Sequence, residues 1–262
     1  MCQKFKKYKL INRYFVHLSY KGTNFHGWQF QLNAITVQEV LDKALSLILK
    51  EKITTTGAGR TDTGVHALNF YAHFDSEYSP DFINKDIVHH LNCILPNDIA
   101  IHSIIKVMAN SHARFDAISR TYNYRITQRR NPFNQELVLF FPKPLDLDLM
   151  NAGSKILLEY IDFTSFCKLH SDVKTNNCKI TEAKWEIIGD EILFTISADR
   201  FLRNMVRAIV GTLLSVGLHK LSLEELKNLI ELKKRSSAGM SVAAHGLHLT
   251  EIRYPYPLPN KS

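Results

Sequence analysis

The sequence predicts an α+β protein made of two ferredoxin-like (RRM-like) β-α-β-β-α-β halves, which join mainly antiparallel sheets around a central active-site cleft. Segments in which apolar residues alternate, as in half-buried strands, are interleaved with segments of helical periodicity. The order of these segments repeats after about residue 110. We therefore expect an N-terminal half over residues 1–110 and a C-terminal half over residues 111–262.

The predicted elements follow from alternation, capping residues and the positions of prolines. In the N-terminal half they are a strand over 13–20, a helix opened by the capping-box pair Thr36 and Glu39, strands over 53–56 and 68–74, a helix from Pro80 that ends before Pro96, and a strand over 98–107. A linker near residues 110–117 separates the two halves.

The C-terminal half repeats the order and adds one helix. Its predicted elements are a strand over 121–127, a helix over 147–160, strands over 181–188 and 192–198 joined by a tight turn at Gly189 and Asp190, a long helix over 200–217, a short helix capped by Ser222 and Glu225, and a closing strand over 247–254. The proline-rich tail after it is expected to lie as a strap on the surface.

The composition is that of a soluble globular protein with a basic surface. Hydrophobic residues make up 45% and charged residues 22% of the 262 residues, and the formal net charge is +8. Such a charge attracts polyanions, of which nucleic acid is the commonest large one, although it also serves solubility alone. No apolar run approaches the roughly 20 residues that a membrane helix needs, and no signal peptide is recognisable. We therefore expect no membrane partner.

The cysteines and histidines do not form metal sites in the sequence. The four cysteines, Cys2, Cys93, Cys167 and Cys178, are scattered, which indicates reduced thiols and a cytoplasmic location. The 12 histidines form no HExxH motif, and no glycine segment has the dinucleotide-binding or P-loop pattern. We expect neither a metal nor a cofactor.

The segment over residues 57–67 is the most informative one for chemistry. It places three glycines around Arg60 and Asp62 between two predicted strands. Glycine permits close approach of another molecule, so a loop of this kind presents its carboxylate to a ligand. The competing interpretation is an Asx-turn, in which Asp62 bonds only to its own loop.

Two further segments carry candidate functional groups. Arg203 and Arg207 stand four residues apart on the predicted long helix, where they form either a solvated cationic face or a site for an anion. Tyr122 lies in a strand between Arg120 and Arg125, which suits either a core tyrosine or a base-stacking surface beside phosphate-binding cations. In the N-terminal aromatic loop, Trp28 is expected to fill the gap under the first helix.

Six segments in order resemble the motifs of the tRNA pseudouridine synthase A family. They are Phe25-His26-Gly27-Trp28-Gln29, Gly59-Arg60-Thr61-Asp62 with Gly64-Val65-His66-Ala67, His112-Ala113-Arg114-Phe115, Arg120-Thr121-Tyr122, Asp162-Phe163-Thr164-Ser165-Phe166 and Phe201-Leu202-Arg203-Asn204-Met205-Val206-Arg207. Thr63 departs from the alanine common at its position, and the loops after residue 110 diverge.

The resemblance implies isomerisation of uridine to pseudouridine at positions 38–40 of the tRNA anticodon stem-loop, by a homodimer without cofactor or metal. It assigns Asp62 as nucleophile, Arg203 as its ion-pair partner and Tyr122 as the catalytic tyrosine that contacts the base. Together with Tyr122, the predicted substrate-binding residues are Arg60, Thr61, His66 and Gln29. Of these, Arg60 is our own assignment, to the phosphate of a flipped nucleotide.

The chemistry agrees with these residue types. Cleavage of a glycosidic bond requires a carboxylate that attacks or stabilises the sugar carbon. Arg203 would keep Asp62 ionised, and Tyr122 would stack on the freed base, with its hydroxyl as a candidate to remove the C5 proton. The alternative is a non-catalytic RNA-binding protein of two RRM-like units, which gives no reason for an Asp62 opposite Arg203.

Overall fold

The computed structural model describes residues 11–80, 82–83, 85–167, 175–234 and 239–258, without the side chain of Lys85. The strands are β1 (Asn12–Tyr20), β2 (Thr56–Gly57), β3 (His66–Ser76), β4 (Ile99–Val107), β5 (Ser119–Thr127), β6 (Leu139–Phe140), β7 (Ile180–Ile188), β8 (Glu191–Ala198) and β9 (Leu247–Arg253). The α-helices are α1 (Val37–Leu49), α2 (Lys85–Ile94), α3 (Leu147–Leu157), α4 (Met205–Gly217) and α5 (Leu223–Glu231).

The strands form one sheet in the order β4-β1-β3-β9-β5-β8-β7, with β2 paired to β3 and β6 paired to β5. Most neighbours are antiparallel, whereas β9 pairs parallel with β3 and β6 pairs parallel with β5. The predicted α+β class and its largely antiparallel sheet are confirmed. Because β9 lies between β3 and β5, the sheet is continuous across the molecule.

Two groups of buried side chains form the core. The first packs α1 and α2 against β1, β3 and β4, and includes Phe70 and Leu41. The second packs α3, α4 and α5 against β5, β7 and β8, and includes Phe194 and Leu213. Tyr122 packs against both groups, so it lies where the two meet.

Of the two predicted capping boxes, the one at α5 is complete and the one at α1 is present only on the Thr36 side. Thr36 Oγ1 accepts a hydrogen bond from the Glu39 backbone nitrogen at 3.3 Å, which satisfies one free donor at the start of α1. At α5, Ser222 and Glu225 form the full reciprocal capping box. The β7–β8 turn is also as predicted, with Gly189 at a φ of 60°.

The predicted strand over 53–56 is wrong except at its last residue, where β2 begins. Side chains of α1 accept hydrogen bonds from the backbone nitrogens with which this segment would pair to a neighbouring strand. The Ile53 nitrogen donates to Ser46 Oγ at 2.9 Å, and the Thr55 nitrogen donates to Asp42 Oδ1 at 2.9 Å. The segment is therefore fastened to the helix instead of the sheet.

The helix predicted from Pro80 begins only at Lys85. The Phe82 nitrogen donates to the Ser79 carbonyl at 3.1 Å, which places Pro80 at the second position of a turn, where its fixed φ is favourable. The helix predicted over 147–160 is also shorter and ends at Leu157.

The long helix predicted over 200–217 begins at Met205. Asn204 has a left-handed φ of 65°, which is not compatible with an α-helix that continues through it. The Met205 nitrogen closes a turn onto the Leu202 carbonyl at 3.1 Å. Arg203 therefore lies in a turn before the helix, and only Arg207 lies on it.

The segment over residues 110–117, predicted as the linker between the two halves, lies between β4 and β5. The described part of the proline-rich tail lies against it. Tyr254 Oη donates to the Ala113 carbonyl at 2.7 Å, and Tyr256 Oη donates to Asp116 Oδ2 at 2.8 Å. Among the described residues, none of the helices has the length and apolar content that crossing a bilayer requires.

Candidate active site

Asp62 lies in the loop between β2 and β3, and tight packing fixes the backbone of that loop. Gly27, at a φ of 84°, lies so close that an added Cβ would stand 2.3 Å from the Thr61 carbonyl oxygen. The Trp28 nitrogen donates to the same carbonyl at 3.3 Å, and the Gly64 nitrogen donates to the Phe25 carbonyl at 3.3 Å. The aromatic loop before α1 thus supports the Asp62 loop from below.

The Trp28 indole, predicted to fill the gap under the first helix, is buried beneath this loop. It is 2% exposed, and its ring lies 4.2 Å from that of Phe70. Gly57 lies against it, because a Cβ there would stand 2.4 Å from Trp28 Nε1. Trp28 is therefore a core residue rather than a ligand contact.

The carboxylate of Asp62 faces two guanidinium groups. Asp62 Oδ1 lies 3.9 Å from Arg203 Nε, and Oδ2 lies 3.7 Å from Arg207 Nη1. The turn inside the loop is made by the backbone, since the Val65 nitrogen donates to the main-chain carbonyl of Asp62 at 3.1 Å. The carboxylate is 26% exposed, so it is oriented by cations yet open to a ligand.

The two arginines differ in how they are held. Arg207 is 20% exposed and its Nε donates to the Val242 carbonyl at 2.7 Å. Arg203 is 60% exposed, so solvent screens its attraction to Asp62. Val242 holds both the side chain and the main chain of Arg207, because its nitrogen also donates to the Arg207 carbonyl at 3.2 Å.

Tyr122 stands at the junction of the two core groups. Its ring meets that of Phe201 edge to face at 5.2 Å. Burial raises the pKa of Tyr122 to about 12; the charge of Arg120 acts against this rise, and that of Asp62 adds to it. The phenol is therefore protonated at neutral pH, which makes it a poor base in the resting state and leaves its O–H able to donate a hydrogen bond to a ligand.

The other predicted substrate-binding residues separate into two groups. Arg60 and Gln29 are exposed on the loops beside Asp62. The Thr61 hydroxyl is instead buried against Tyr20 Oη at 2.9 Å. His66 is 2% exposed. Its Nδ1 accepts from the Gly22 nitrogen at 2.9 Å, and its Nε2 lies 3.1 Å from the His245 carbonyl.

These contacts correct the prediction for His66. Both of its ring nitrogens have protein partners, and burial lowers the pKa of its imidazole, so the ring is neutral and supports the loop from inside. The Thr61 side chain has the same supporting role. The motif thus presents the partly exposed carboxylate of Asp62 and the exposed Arg60, while Thr61 and His66 are buried beneath them.

Sequence reasoning left Arg207 out of the site. Its spacing from Arg203 was visible, but a helix face of two arginines is ordinarily solvated. The described residues contain no group of three His, Cys, Asp or Glu side chains placed to hold a metal ion.

Comparison with known proteins gives consistent matches. A family model described as tRNA pseudouridine synthase matches residues 160–255. The tRNA pseudouridine synthase A of Parabacteroides distasonis is 52% identical over 95% of this chain and 98% of its own. That of Porphyromonas gingivalis is 48% identical over 94% and 98%, and that of Clostridium acetobutylicum is 40% identical over 90% and 97%.

The chain belongs to the tRNA pseudouridine synthase A family. The predicted family and the predicted class of enzyme, a tRNA-modifying isomerase, are thereby confirmed. A chain of a solved Cbf5-Nop10-Gar1 complex aligns with 90% of this chain and 57% of its own, at 14% identity and a TM-score of 0.33, a similarity too low to establish a common fold.

Proposed function

We propose that the protein converts uridine to pseudouridine at positions 38–40 of the tRNA anticodon stem-loop, with Asp62 as the nucleophile. The observation that carries this proposal is the single carboxylate of Asp62, partly exposed and 3.7–3.9 Å from two guanidinium groups. A carboxylate so oriented suits attack at a sugar carbon or stabilisation of positive charge there.

The reaction balances without a second substrate. The N1–C1′ bond of uridine breaks, the uracil turns over, a C5–C1′ bond forms, C5 loses a proton and N1 gains one. No oxidation state changes and no water is consumed, so we assign no cofactor and no metal. Direct attack at C1′, attack on the uracil ring and elimination to a glycal are all compatible with the position of the Asp62 carboxylate.

Tyr122 is assigned to the base. Its ring, held against Phe201, offers a face on which a detached uracil stacks. Because burial raises the pKa of Tyr122 to about 12, we favour hydrogen-bond donation over removal of the C5 proton as the role of its hydroxyl. Retention of the base in the cleft is what allows it to turn over and rejoin.

Arg60 is assigned to the phosphate of the flipped nucleotide. Its guanidinium is exposed and close enough to Arg114 to lower the pKa of Arg114, after the larger effect of burial. Two cations held together favour an anion between them. Gln29, also exposed beside the loop, is assigned to hydrogen bonding with the same nucleotide.

We further propose two ferredoxin-like halves, residues 1–110 and 111–262. The strand orders β4-β1-β3-β2 and β9-β5-β8-β7 correspond position by position, which supports this division. The family supports a homodimer that binds tRNA. Among the described residues, Cys93 and Cys178 are free thiols, which suits a reducing cytoplasm.

The deciding experiment maps pseudouridine on an unmodified tRNA transcript with uridines at positions 38–40. Purified wild-type protein, Asp62→Asn and the control Asp190→Asn, which alters an exposed turn residue, are compared with a chelator present. We expect conversion by the wild type and the control only.

The other outcomes are also informative. Tight tRNA binding with no conversion by any of the three proteins would favour the RNA-binding alternative. Conversion by Asp62→Asn at the wild-type rate would leave the enzyme in place and remove Asp62 as its nucleophile.

A further inference from the structure

Arg120 makes an unusual set of contacts beside the Asp62 site. Nη1 donates to the carbonyls of Ala117 at 2.7 Å and Asp199 at 2.8 Å. Nη2 donates to the carbonyls of Ala58 at 3.0 Å and Arg114 at 2.6 Å. All four terminal N–H groups of one guanidinium are thus used on the main chain.

The four carbonyls belong to segments that carry the site. Ala58 lies in the glycine loop, four residues before Asp62, and Asp199 lies four residues before Arg203. Arg114 and Ala117 lie in the linker between β4 and β5. The guanidinium therefore joins the segment that carries the nucleophile to the segment that carries its cation.

The ion pairs of Asp62 with the two arginines do not fix the separation of these two segments. The distances of 3.7 and 3.9 Å from Asp62 to the two arginines exceed hydrogen-bond length, and Arg203 is largely exposed. Contacts of that length tolerate sliding, whereas four hydrogen bonds in the plane of one guanidinium do not. The backbone around Arg120 is thus the better determinant of the position of Asp62.

We propose that Arg120 is a positioning residue for catalysis, which sets the separation of the Asp62 loop and the Arg203 turn by bonding the main chain of both. The assignment rests on the proposed function. Arg120 also precedes Tyr122 by two residues on β5, so the two side chains share a face of the strand. One strand thus aligns the nucleophile, its cation and the base-stacking ring.

Arg120→Lys tests this role under single-turnover conditions. A lysine keeps the charge but presents its donors from one point, so it does not reach four carbonyls at once. Misplacement of reacting groups by about 1 Å costs on the order of 10²-fold in rate. We expect a loss of about that size in the conversion rate, with the tRNA dissociation constant unchanged within a factor of about three, since the guanidinium is engaged by the protein.

Arg125→Lys is the matched control. Arg125 lies on the same strand and donates to both oxygens of Glu191, at 2.7 and 2.8 Å, away from Asp62. Its replacement should leave the conversion rate unchanged, and melting temperatures of both variants show how much stability each one loses. In Arg120→Ala, added methylguanidinium should restore part of the rate, and methylammonium should not.

Several results would overturn the assignment. They are equal conversion rates for Arg120→Lys and Arg125→Lys, a loss confined to tRNA affinity, and failure of both Arg120 variants to fold, which would leave a purely structural role. Wild-type protein assayed in parallel distinguishes failure of the proposed function from failure of the role assigned to Arg120. If it makes no pseudouridine, the proposed function falls and this assignment with it.

Discussion

The two sides of the candidate site, the Asp62 loop and the turn that carries Arg203, are built differently. The Asp62 side is fixed by close packing, with Gly22 and Gly27 lying against the backbone of the loop. The Arg203 side is a short turn before α4, with a left-handed Asn204 and an arginine that is 60% exposed. The Asp62 carboxylate is thus held rigidly. Of the two arginines that face it, Arg207 is held by hydrogen bonds and Arg203 is exposed.

This difference has a physical reason. In the proposed reaction the Asp62 carboxylate must meet one atom in one direction, so fixing it in advance lowers the entropy lost. A cation acts over several ångströms and keeps much of its effect when it moves. Rigid packing is therefore most effective around the carboxylate.

The largest expected effect is on the Asp62 side, with Gly22→Ala. A Cβ there would stand 2.0 Å from the Val65 carbonyl oxygen, and the backbone has to shift. Overpacking of this kind costs about 1–3 kcal/mol. Urea unfolding should report that loss. Gly59→Ala is the control, because no atom lies within 4 Å of its added Cβ, and equal losses in the two variants would contradict the packing argument.

The next prediction compares the stability that is lost when each of the two arginines is replaced. Arg207→Gln removes a hydrogen bond from a charged donor to Val242, which contributes about 1.5–2 kcal/mol. Arg203→Gln removes an exposed contact and should change the free energy of unfolding by less than about 0.5 kcal/mol. Both variants should slow the reaction. If Arg203→Gln loses as much stability as Arg207→Gln, the turn that carries Arg203 is not the weakly held side of the site.

The smallest effect is a pH dependence on the Asp62 side. Asp42 accepts two hydrogen bonds from Thr55, and burial raises its pKa from 3.8 to about 6. Between these values the folded protein binds more protons than the unfolded chain, so stability falls as pH rises.

Asp42→Asn keeps the acceptor oxygen and removes the charge. It should therefore flatten the fall in the free energy of unfolding between pH 4 and pH 6. Melting temperatures across this range measure it, with Asp190→Asn as the reference. A slope unchanged from the wild type would mean that Asp42 does not titrate in this range.

Local signals in the sequence were sufficient for structures that depend on contacts between residues close together in the chain. The Ser222 and Glu225 cap and the Gly189 turn depend on residues at most three apart, and both were predicted. The prediction of a strand over 53–56 was wrong because its backbone nitrogens bond to the side chains of Ser46 and Asp42, which lie on a helix. Propensity does not report which neighbour a backbone nitrogen will meet.

The site shows the same limit. Motif order identified Asp62 and Arg203, but the role of Arg207 depends on the position of Val242, 35 residues later. The burial of His66 depends on a carbonyl 179 residues away. Contacts of that separation follow from the closed fold, and a single sequence carries no direct signal of them.

Strand β9 imposes an order of events on a newly made chain. In the sheet, the path from β3 to β5 runs through β9, and β9 follows every other described strand in the sequence. On the ribosome, the two parts of the sheet remain unjoined until residues 247–253 have emerged. The continuous sheet is therefore completed only after β9 has been made, although all the strands that flank it are made earlier.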